Sequence, residues 1–172
     1  IVQSITDMGF TAPTPIQDQA IPVLLSGTTD FVGLAQTGTG KTAAFGLPLL
    51  QLINIADKHP QALIVCPTRE LCLQITKDLE VFTKHTRGLK MEAVYGGASI
   101  SMQIRNLRNG VHIVVATPGR LIDLIERKAI DLQKVKYVVL DEADEMLNMG
   151  FRDDIDFVLK NTVNRESIWL FS

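Results

Sequence analysis

The chain has 172 residues, 46% of them hydrophobic and 21% charged, and its formal net charge at pH 7 is −2. This balance is typical of one globular domain with a sizeable core, and no apolar run approaches the ~20 residues of a membrane span. Because the net charge is small, any nucleic-acid binding must come from a local patch. Cys66 and Cys72 fall at the end of a predicted strand and in a predicted helix, which favours a reducing, cytoplasmic setting over a disulfide framework.

One helix is predicted to start at Thr14. Thr14, Pro15 and Gln17 form the Thr-x-x-Gln pattern of a capping box, with proline at the first helical position. Two further helix starts are predicted after Thr68 and after Thr117, because apolar residues follow at helical spacing. These residues are Leu71, Ile75, Leu79 and Phe82 in the first case and Leu121, Leu124 and Ile125 in the second.

Short apolar runs alternate with the helical patterns. They are rich in β-branched residues and do not alternate with polar ones, as in strands covered on both faces. The predicted strands are 31–34, 62–66, 91–95, 113–116, 137–140 and 168–171. This order predicts a single α/β domain over residues 1–172, with a mostly parallel sheet and helices on both faces. Ligands are expected at the carboxyl ends of the strands.

A glycine-rich loop follows the first predicted strand. Residues 35–42 read Ala-Gln-Thr-Gly-Thr-Gly-Lys-Thr, which fits the phosphate-loop pattern except that alanine replaces its first glycine. Gly38 and Gly40 permit a tight turn whose N–H groups can face phosphate oxygens, and the next helix adds its positive end. We expect Lys41 to reach the β and γ phosphates and Thr42 to bind Mg²⁺. The alternative is a strand-to-helix turn in which Lys-Thr occurs by chance. The predicted nucleotide-binding residues of this loop are Ala35, Gln36, Thr37, Gly38, Thr39, Gly40, Lys41 and Thr42.

The sequence Asp-Glu-Ala-Asp follows the predicted strand 137–140. Carboxylates just beyond a buried strand are unfavourable unless they bind a metal or a cation. We expect Asp141 to hold Mg²⁺, mostly through water, and Glu142 to orient or deprotonate an attacking water. The alternative is an ordinary helix N-terminus, where acidic residues favour the helix dipole. With Lys41, these two acids form the predicted catalytic set for phosphoryl transfer.

Taken in order, these segments resemble the first RecA-like domain of a DEAD-box RNA helicase over essentially the whole chain. Residues 141–144 are identical to motif II of that family, and residues 35–42 resemble motif I. The other matching segments are 9–17 for the Q motif, 67–71 for motif Ia, Gly96-Gly97 for the glycine doublet and 117–120 for motif Ib. The resemblance implies a P-loop NTPase fold of the RecA-like type, ATP and Mg²⁺ as cofactors, and ATP-dependent RNA helicase activity.

The resemblance also implies contacts to the adenine base. Gln17 would read the base edge, because a side-chain amide both donates and accepts hydrogen bonds. The alternative is that Gln17 serves only the capping box. Phe10 would pack near the adenine or else be an ordinary core residue. Asp144 is the last of the residues that the resemblance assigns to the nucleotide site. In the family this residue links motif II to a Ser-Ala-Thr segment, and Ser172 resembles the first residue of that segment.

An RNA-binding track is implied on the same grounds, formed by Thr68, Arg69, Gly97, Thr117, Gly119 and Arg120. Helix starts present backbone N–H groups that suit phosphates. Arginines in a first helical turn oppose the dipole preference, which indicates an anionic partner. For Arg69 the alternative is a surface ion pair with Glu70, which would contribute little. Such contacts address the sugar-phosphate backbone, so we expect binding that is independent of sequence.

The family's second RecA-like domain, which carries an arginine finger and half of the RNA surface, has no counterpart in the sequence. An arginine finger contributes ~10³–10⁵ in rate. We therefore expect this domain alone, as a monomer without membrane attachment, to bind nucleotide weakly and to hydrolyse it very slowly. Two other functions stay open, an ATP-gated RNA clamp with little hydrolysis and a related DNA helicase. Glu142 favours the enzyme, because a clamp needs no residue to orient water.

The remaining residues of interest receive structural roles. Trp169 is expected in the core, and Met146 and Met149 are expected to pack the helix after motif II. The histidines His59, His85 and His112 are scattered without metal-ligand spacing and are assigned no site.

Overall fold

The computed structural model of the protein describes residues 1–36 and 38–172, in which one or two helices separate successive strands. The strands are β1 (Phe31–Gly33), β2 (Ala62–Val65), β3 (Met91–Val94), β4 (Ile113–Ala116), β5 (Tyr137–Asp141) and β6 (Ser167–Phe171). The helices are α1 (Val2–Asp7), α2 (Pro15–Leu24), α3 (Lys41–Leu52), α4 (Arg69–Phe82), α5 (Ile100–Arg108), α6 (Pro118–Glu126), α7 (Ala143–Asn148) and α8 (Arg152–Asn161).

The six strands form one parallel sheet in the order β1-β6-β5-β2-β4-β3. This confirms the predicted α/β architecture, and each strand bound agrees with the prediction to within one residue. Strand β5 extends one residue further than predicted because Asp141 pairs with Phe171 of β6. The first motif II acid is therefore held by the sheet itself.

Alternate strand residues pack into two apolar clusters, one on each face of the sheet. Ile64, Val139 and Trp169 belong to the cluster covered by α2, α3 and α4. Leu63 and Val138 belong to the cluster covered by α6, α7 and α8. Trp169 is fully buried, which confirms its predicted core position. The prediction that the strands are covered on both faces is confirmed for the central strands β2, β4 and β5. It is wrong for the edge strands β1 and β3 and for β6, because some of their residues are partly exposed.

The predicted helix starts are observed at residues 14, 68 and 117, with different capping bonds. The N–H of Thr14 donates to Gln17 Oε1 at 3.0 Å, which forms the glutamine half of the capping box. The Thr14 hydroxyl is buried and has no partner among the described residues. Thr68 Oγ1 accepts the N–H of Leu71 at 3.2 Å, as expected of an N-cap. Thr117 makes no side-chain capping bond within the described chain, so Pro118 alone marks that start.

The helix after motif II ends before Met149, which was predicted to pack it. Met146 is fully buried as predicted, but the prediction that Met149 packs this helix is wrong, because Met149 is 50% exposed. Helix α7 ends at Asn148, and Gly150 turns the chain with a φ of 87°.

Cys66 and Cys72 are both buried free thiols. Among the described residues, no helix has the length and apolar character needed to cross a bilayer.

Candidate functional site

The glycine-rich loop connects β1 to α3 at the carboxyl edge of the sheet. Gly38 and Gly40 have φ values of 83° and 84°, a region that other residues rarely adopt. A Cβ atom on Gly40 would lie 2.3 Å from Gln17 Nε2, so a larger residue there would have to displace the Gln17 amide as well as adopt an unfavourable conformation. Thr39 donates its hydroxyl hydrogen to the carbonyl of Gln36. Thr37 lies outside the described residues, so its predicted contact stays a prediction.

The loop places Lys41 against the two acids at the end of β5. The Lys41 Nζ atom lies 3.6 Å from Asp141 Oδ1 and donates a hydrogen bond to Glu142 Oε1. The side chains of Lys41, Asp141 and Glu142 are only 8%, 3% and 22% exposed. The three residues predicted to be catalytic are thus brought together in a largely buried charge cluster.

Backbone strain accompanies this cluster. Glu142 is the N-cap of α7 and has a φ of 53°, in the left-handed region that is unfavourable for a side chain of its size. Its N–H donates to Asp141 Oδ1 at 3.0 Å, which helps to hold this conformation. Strain of this kind is typical of functional positions, where the surrounding structure fixes a side chain in a working orientation.

Burial raises the pKa of Asp141 to about 6; the positive charge of Lys41 acts against this increase, and the negative charge of Glu142 adds to it. A carboxylate that has lost hydration is stabilised by a nearby cation. The charge of Lys41 alone does not return the pKa of Asp141 to its ordinary value. A further positive charge, such as that of a divalent ion, would therefore stabilise the ionised carboxylate.

Thr42 and Asp141 are the residues that fit Mg²⁺, and both line one cavity. No group of three or more His, Cys, Asp or Glu side chains within residues 1–36 and 38–172 could hold a metal by itself. Magnesium usually keeps several waters and binds through one or two carboxylates together with substrate phosphates. The residues therefore fit an ion that arrives with a nucleotide, and they do not form a cage made only of protein ligands.

The cavity beside these residues has a volume of about 380 Å³. Its lining includes Gln17 and Phe10 as well as Gly38, Gly40, Lys41, Thr42, Asp141 and Glu142. Phe10 is 47% exposed and lies outside both apolar clusters, so the alternative of an ordinary core phenylalanine is wrong. Ala35, Gln36, Thr39 and Asp144 are absent from this lining. The structure therefore brings most, but not all, of the predicted nucleotide residues to one cavity.

Gln17 joins the N-terminal segment to the phosphate loop. Its Oε1 accepts the N–H of Thr14, and its Nε2 donates to the carbonyl of Gly40 at 3.3 Å. A primary amide has two N–H groups and two lone pairs, so one of each remains after these bonds. The capping role and a contact with a base edge are consequently compatible, and the residue does more than cap α2.

Asp144 and Ser172 meet at a different point of the same edge. The Asp144 N–H donates to Ser172 Oγ at 3.3 Å, while the Asp144 side chain is exposed. The backbone of Ser172 continues the pairing of β6 with β1, since it accepts from the N–H of Ala35 at 2.8 Å and donates to Gly33 at 3.0 Å. Motif II and the start of the phosphate loop are therefore tied to one residue at the end of β6.

The predicted RNA residues follow β2, β4 and β3, which are neighbours in the sheet, so they share its carboxyl edge. The guanidinium of Arg69 lies over the ring of Tyr95, 5.1 Å from its centroid. Within the described part of the chain Arg69 forms no ion pair with Glu70, so that alternative is wrong. Gly97 has a φ of 87°, and a Cβ there would lie 3.3 Å from Arg69 Nη1.

Arg120 contacts the glycine-doublet loop as well as lying at the start of α6. Its Nη1 donates to the carbonyl of Ala98 at 3.1 Å and to Gln103 Oε1 at 2.9 Å. Gln103 Nε2 in turn donates to the carbonyl of Tyr95 at 3.1 Å. Gly119 is exposed beside Arg120, and Thr68 and Thr117 are partly exposed at their helix starts. The six predicted RNA residues thus lie on three adjacent loops.

A profile of the family described as DEAD/DEAH box helicase matches residues 14–172. The chain belongs to this family. The match confirms the resemblance that the motifs indicated, and it includes all the predicted site residues except Phe10.

Named members of the DEAD/DEAH box helicase family match the whole chain. The ATP-dependent RNA helicase CshA of Listeria monocytogenes is 52% identical over 100% of this chain and 33% of its own length. The ATP-dependent RNA helicase DeaD of Haemophilus influenzae is 46% identical over 100% of this chain and 28% of its own length. The chain therefore spans about a third of the length of these curated relatives.

Solved structures support the fold. The crystal structure of a DEAD box protein from the hyperthermophile Methanococcus jannaschii matches with a TM-score of 0.94 and 43% identity, over 100% of this chain and 47% of that one. A hypothetical ATP-dependent RNA helicase from Sulfolobus tokodaii matches with a TM-score of 0.89 and 42% identity, over 99% of this chain and 49% of that one. The RecA-like fold of a DEAD-box domain is confirmed.

Two residues of this DEAD/DEAH box helicase domain were missed by sequence reasoning, Tyr95 and Gln103. Tyr95 directly precedes the glycine doublet, and an aromatic residue in that position is a local signal that could have been used. Gln103 lies in the mostly polar helix α5, and nothing in the local sequence marks it as buried. The cavity beside Lys41 also has lining residues that were not predicted, namely Met8, Ala43, Leu71, Gln74, Asp78 and Phe82.

Proposed function

We propose that residues 1–172 form the nucleotide-binding RecA-like domain of an ATP-dependent RNA helicase. In the intact protein, this domain and a second RecA-like domain couple hydrolysis of ATP to local unwinding of an RNA duplex. The observation that carries this proposal is the meeting of Lys41, Asp141 and Glu142 beside a cavity bordered by the phosphate loop. The printed names of the relatives, which are ATP-dependent RNA helicases, support it.

Nucleotide binding would change the partners of Lys41. In this arrangement its ammonium group is bonded to Glu142. Phosphate oxygens entering the cavity compete for the same donors, and the N–H groups of the phosphate loop bind the remaining phosphate charge. Once Lys41 turns to the phosphates, the Glu142 carboxylate is free to accept a hydrogen bond from an attacking water and to orient it.

Thr42 and Asp141 are the residues that would hold Mg²⁺. When bound, the ion neutralises charge that develops on the β and γ phosphates. Asp141 contributes a carboxylate that burial makes receptive to a cation, and Thr42 contributes a hydroxyl at the start of α3. Gln17, through its remaining amide hydrogen and lone pair, would recognise the edge of adenine, with Phe10 packing beside the base.

RNA would bind along the loops that follow β2, β4 and β3. Helix N-termini at Thr68 and Thr117 offer N–H groups, and Arg69 and Arg120 offer positive charge. These groups address phosphates rather than base edges, so binding is independent of sequence. An arginine finger from the second domain completes the reaction site and contributes ~10³–10⁵ in rate. This domain alone, a monomer, therefore hydrolyses ATP very slowly.

The test compares ATP turnover, with and without RNA, for the intact protein and for residues 1–172. We expect RNA-stimulated turnover only in the intact protein, and we expect Glu142→Gln to abolish it. Glu145→Gln is the matched control, because Glu145 is an exposed acid of the same helix and should keep the activity.

Other outcomes would overturn parts of the proposal. ATP-dependent RNA binding by the intact protein without any turnover would show an RNA clamp and would remove the catalytic role of Glu142. Stimulation by DNA but not by RNA would show a DNA helicase. Equal turnover by residues 1–172 and by the intact protein would remove the need for a second domain.

A further inference from the structure

The buried amide of Gln103 links three segments of the predicted RNA surface. Gln103 is only 4% exposed and is the one residue of α5 that is buried. A buried amide is unfavourable unless its donor and acceptor are both bonded. Here the Nε2 group donates to the carbonyl of Tyr95 and the Oε1 atom accepts from Arg120 Nη1.

Hydrogen bonds from Gln103 and Arg120 to two backbone carbonyls hold the loop between β3 and α5. Gln103 binds the carbonyl of Tyr95, just before the glycine doublet, and Arg120 binds the carbonyl of Ala98, just after it. Because Gln103 and Arg120 are bonded to each other, the loop, α5 and the start of α6 form one connected unit. Gly97, at the centre of the loop, is thereby fixed relative to Arg120.

The network extends to Arg69 through the ring of Tyr95. The Arg69 guanidinium lies over this ring, and it is close to the position of Gly97. Tyr95 is held at its carbonyl by Gln103, so the ring that supports Arg69 depends on the same amide. Arg69, Gly97 and Arg120 are predicted to contact RNA, whereas Gln103 is too buried to do so.

We propose that Gln103 is the positioning residue of the RNA surface, which sets Arg69, the glycine-doublet loop and Arg120 in one arrangement for the RNA backbone. The inference rests on the proposed function, because it assigns how the RNA-binding part of that function is organised. Glutamine is suited to this role because one side chain must donate to Tyr95 and accept from Arg120. Glutamate can only accept, and leucine can do neither.

The test uses the intact protein with the substitutions Gln103→Leu and Gln103→Glu. Asn106→Leu is the matched control, since Asn106 lies on the same helix and its amide donates to Glu92 of β3 at 3.0 Å, outside the hydrogen bonds that join Gln103, Tyr95, Ala98 and Arg120. The measurements are the affinity for single-stranded RNA at several salt concentrations, the affinity for a non-hydrolysable ATP analogue without RNA, and the unfolding temperature.

We expect Gln103→Leu to weaken RNA binding by about tenfold, consistent with the loss of one or two buried hydrogen bonds. We also expect the slope of log affinity against log salt to become shallower by ~0.7 for each phosphate contact that is lost. Affinity for the ATP analogue should be unchanged. Asn106→Leu should lower the unfolding temperature without changing the salt slope. Gln103→Glu, which keeps the bond to Arg120, should give an intermediate loss, and it carries the test if the leucine variant does not fold.

Unchanged RNA affinity and salt slope in both Gln103 variants would overturn the proposal. The proposal would also be overturned if the Gln103 variants lost RNA binding, ATP-analogue binding and thermal stability together and Asn106→Leu showed the same losses. Gln103 would then have only a structural role. If the unsubstituted protein binds the ATP analogue but no RNA, the RNA part of the proposed function fails instead, and the two failures are distinguished by that measurement.

Discussion

Lys41 and Glu142 are 101 positions apart in the chain, and the lysine ammonium donates a hydrogen bond to the glutamate carboxylate. Each residue therefore holds the other in a position that differs from its proposed working one. The lysine ammonium is bonded to a carboxylate, whereas its proposed partners are phosphates, and the carboxylate is bonded to a cation, whereas its proposed partner is a water. In the proposed function, nucleotide binding would break this contact and release Glu142 to orient water.

The first prediction concerns this competition. Glu142→Gln should bind ATP about 2- to 10-fold more tightly than the unsubstituted protein, because a neutral amide competes less for Lys41. Titration calorimetry on the domain, with Mg²⁺ present, measures this affinity. Glu145→Gln should leave it unchanged. Weaker ATP binding by Glu142→Gln would show that the carboxylate helps rather than hinders the entry of nucleotide.

The second prediction compares two glycines of the phosphate loop. Gly38→Ala should destabilise the domain by about 1–3 kcal/mol, because alanine is strained at a φ of 83° although the space around it is open. Gly40→Ala has the same kind of strain, and its Cβ would also displace Gln17. It should therefore be less stable than Gly38→Ala by a further ~0.5–1.5 kcal/mol for each hydrogen bond of Gln17 that is lost.

Urea unfolding without nucleotide measures both glycine variants under the same conditions. Replacing Gln17 by alanine in each background provides the control. The extra cost of Gly40→Ala should disappear when Gln17 is absent. If it persists, the close approach of Gln17 to Gly40 is not its cause.

The third prediction concerns pH. Burial raises the pKa of Asp141 from its ordinary value of 3.8 to about 6. Protonation of Asp141 therefore stabilises the folded domain, and this contribution is complete below pH ~4 and is lost as the pH rises through ~6. Above that range the ionised Asp141 is unfavourable in the nucleotide-free domain. Asp141→Asn should then be more stable than the unsubstituted protein by about 1–3 kcal/mol, while Lys41 keeps its bond to Glu142.

Unfolding in the absence of Mg²⁺, measured between about pH 4 and pH 8, checks the third prediction. The gain from Asp141→Asn should shrink as the pH falls below ~6 and be absent near pH 4. Asp144→Asn, which changes an exposed carboxylate of α7, is the control. A gain that is constant with pH would mean that the ionisation of Asp141 does not produce it.

The fourth prediction concerns the ring beneath Arg69. Tyr95→Leu should weaken RNA binding by about 2- to 5-fold, since a cation lying over an aromatic ring gains ~0.5–1 kcal/mol at an exposed site. Tyr95→Phe keeps the ring and should bind RNA like the unsubstituted protein. RNA affinity measured by fluorescence anisotropy distinguishes the two. Equal losses in both variants would point to the tyrosine hydroxyl instead.

Much of the fold and of the candidate nucleotide site was predictable because the signals are local. The strands are short runs of apolar residues, and the phosphate loop is a continuous segment with glycines where left-handed conformations are needed. Asp141 and Glu142 follow directly from their position after β5. In each case neighbouring residues in the sequence determine the backbone geometry.

The remaining features depend on contacts between distant elements. Gln103 is buried because α5 packs beside the loop that it bonds, and no neighbour in the sequence indicates this. The prediction for Met149 failed because the helix ends at Asn148, before that side chain reaches the core. Asp144 meets Ser172 through a backbone N–H, which side-chain chemistry cannot anticipate.

The burial of both native thiols has a practical consequence for spectroscopy. Cys66 and Cys72 are fully inaccessible, so a thiol-directed dye should react first with a cysteine introduced at the surface. Lys134 is exposed in the segment before β5, at the amino edge of the sheet, opposite the loops that carry the predicted site. In the proposed two-domain protein, a fluorophore at Lys134→Cys, paired with an acceptor on the second domain, would report the distance between the domains during the proposed ATP cycle, because Lys134 lies away from the predicted binding residues.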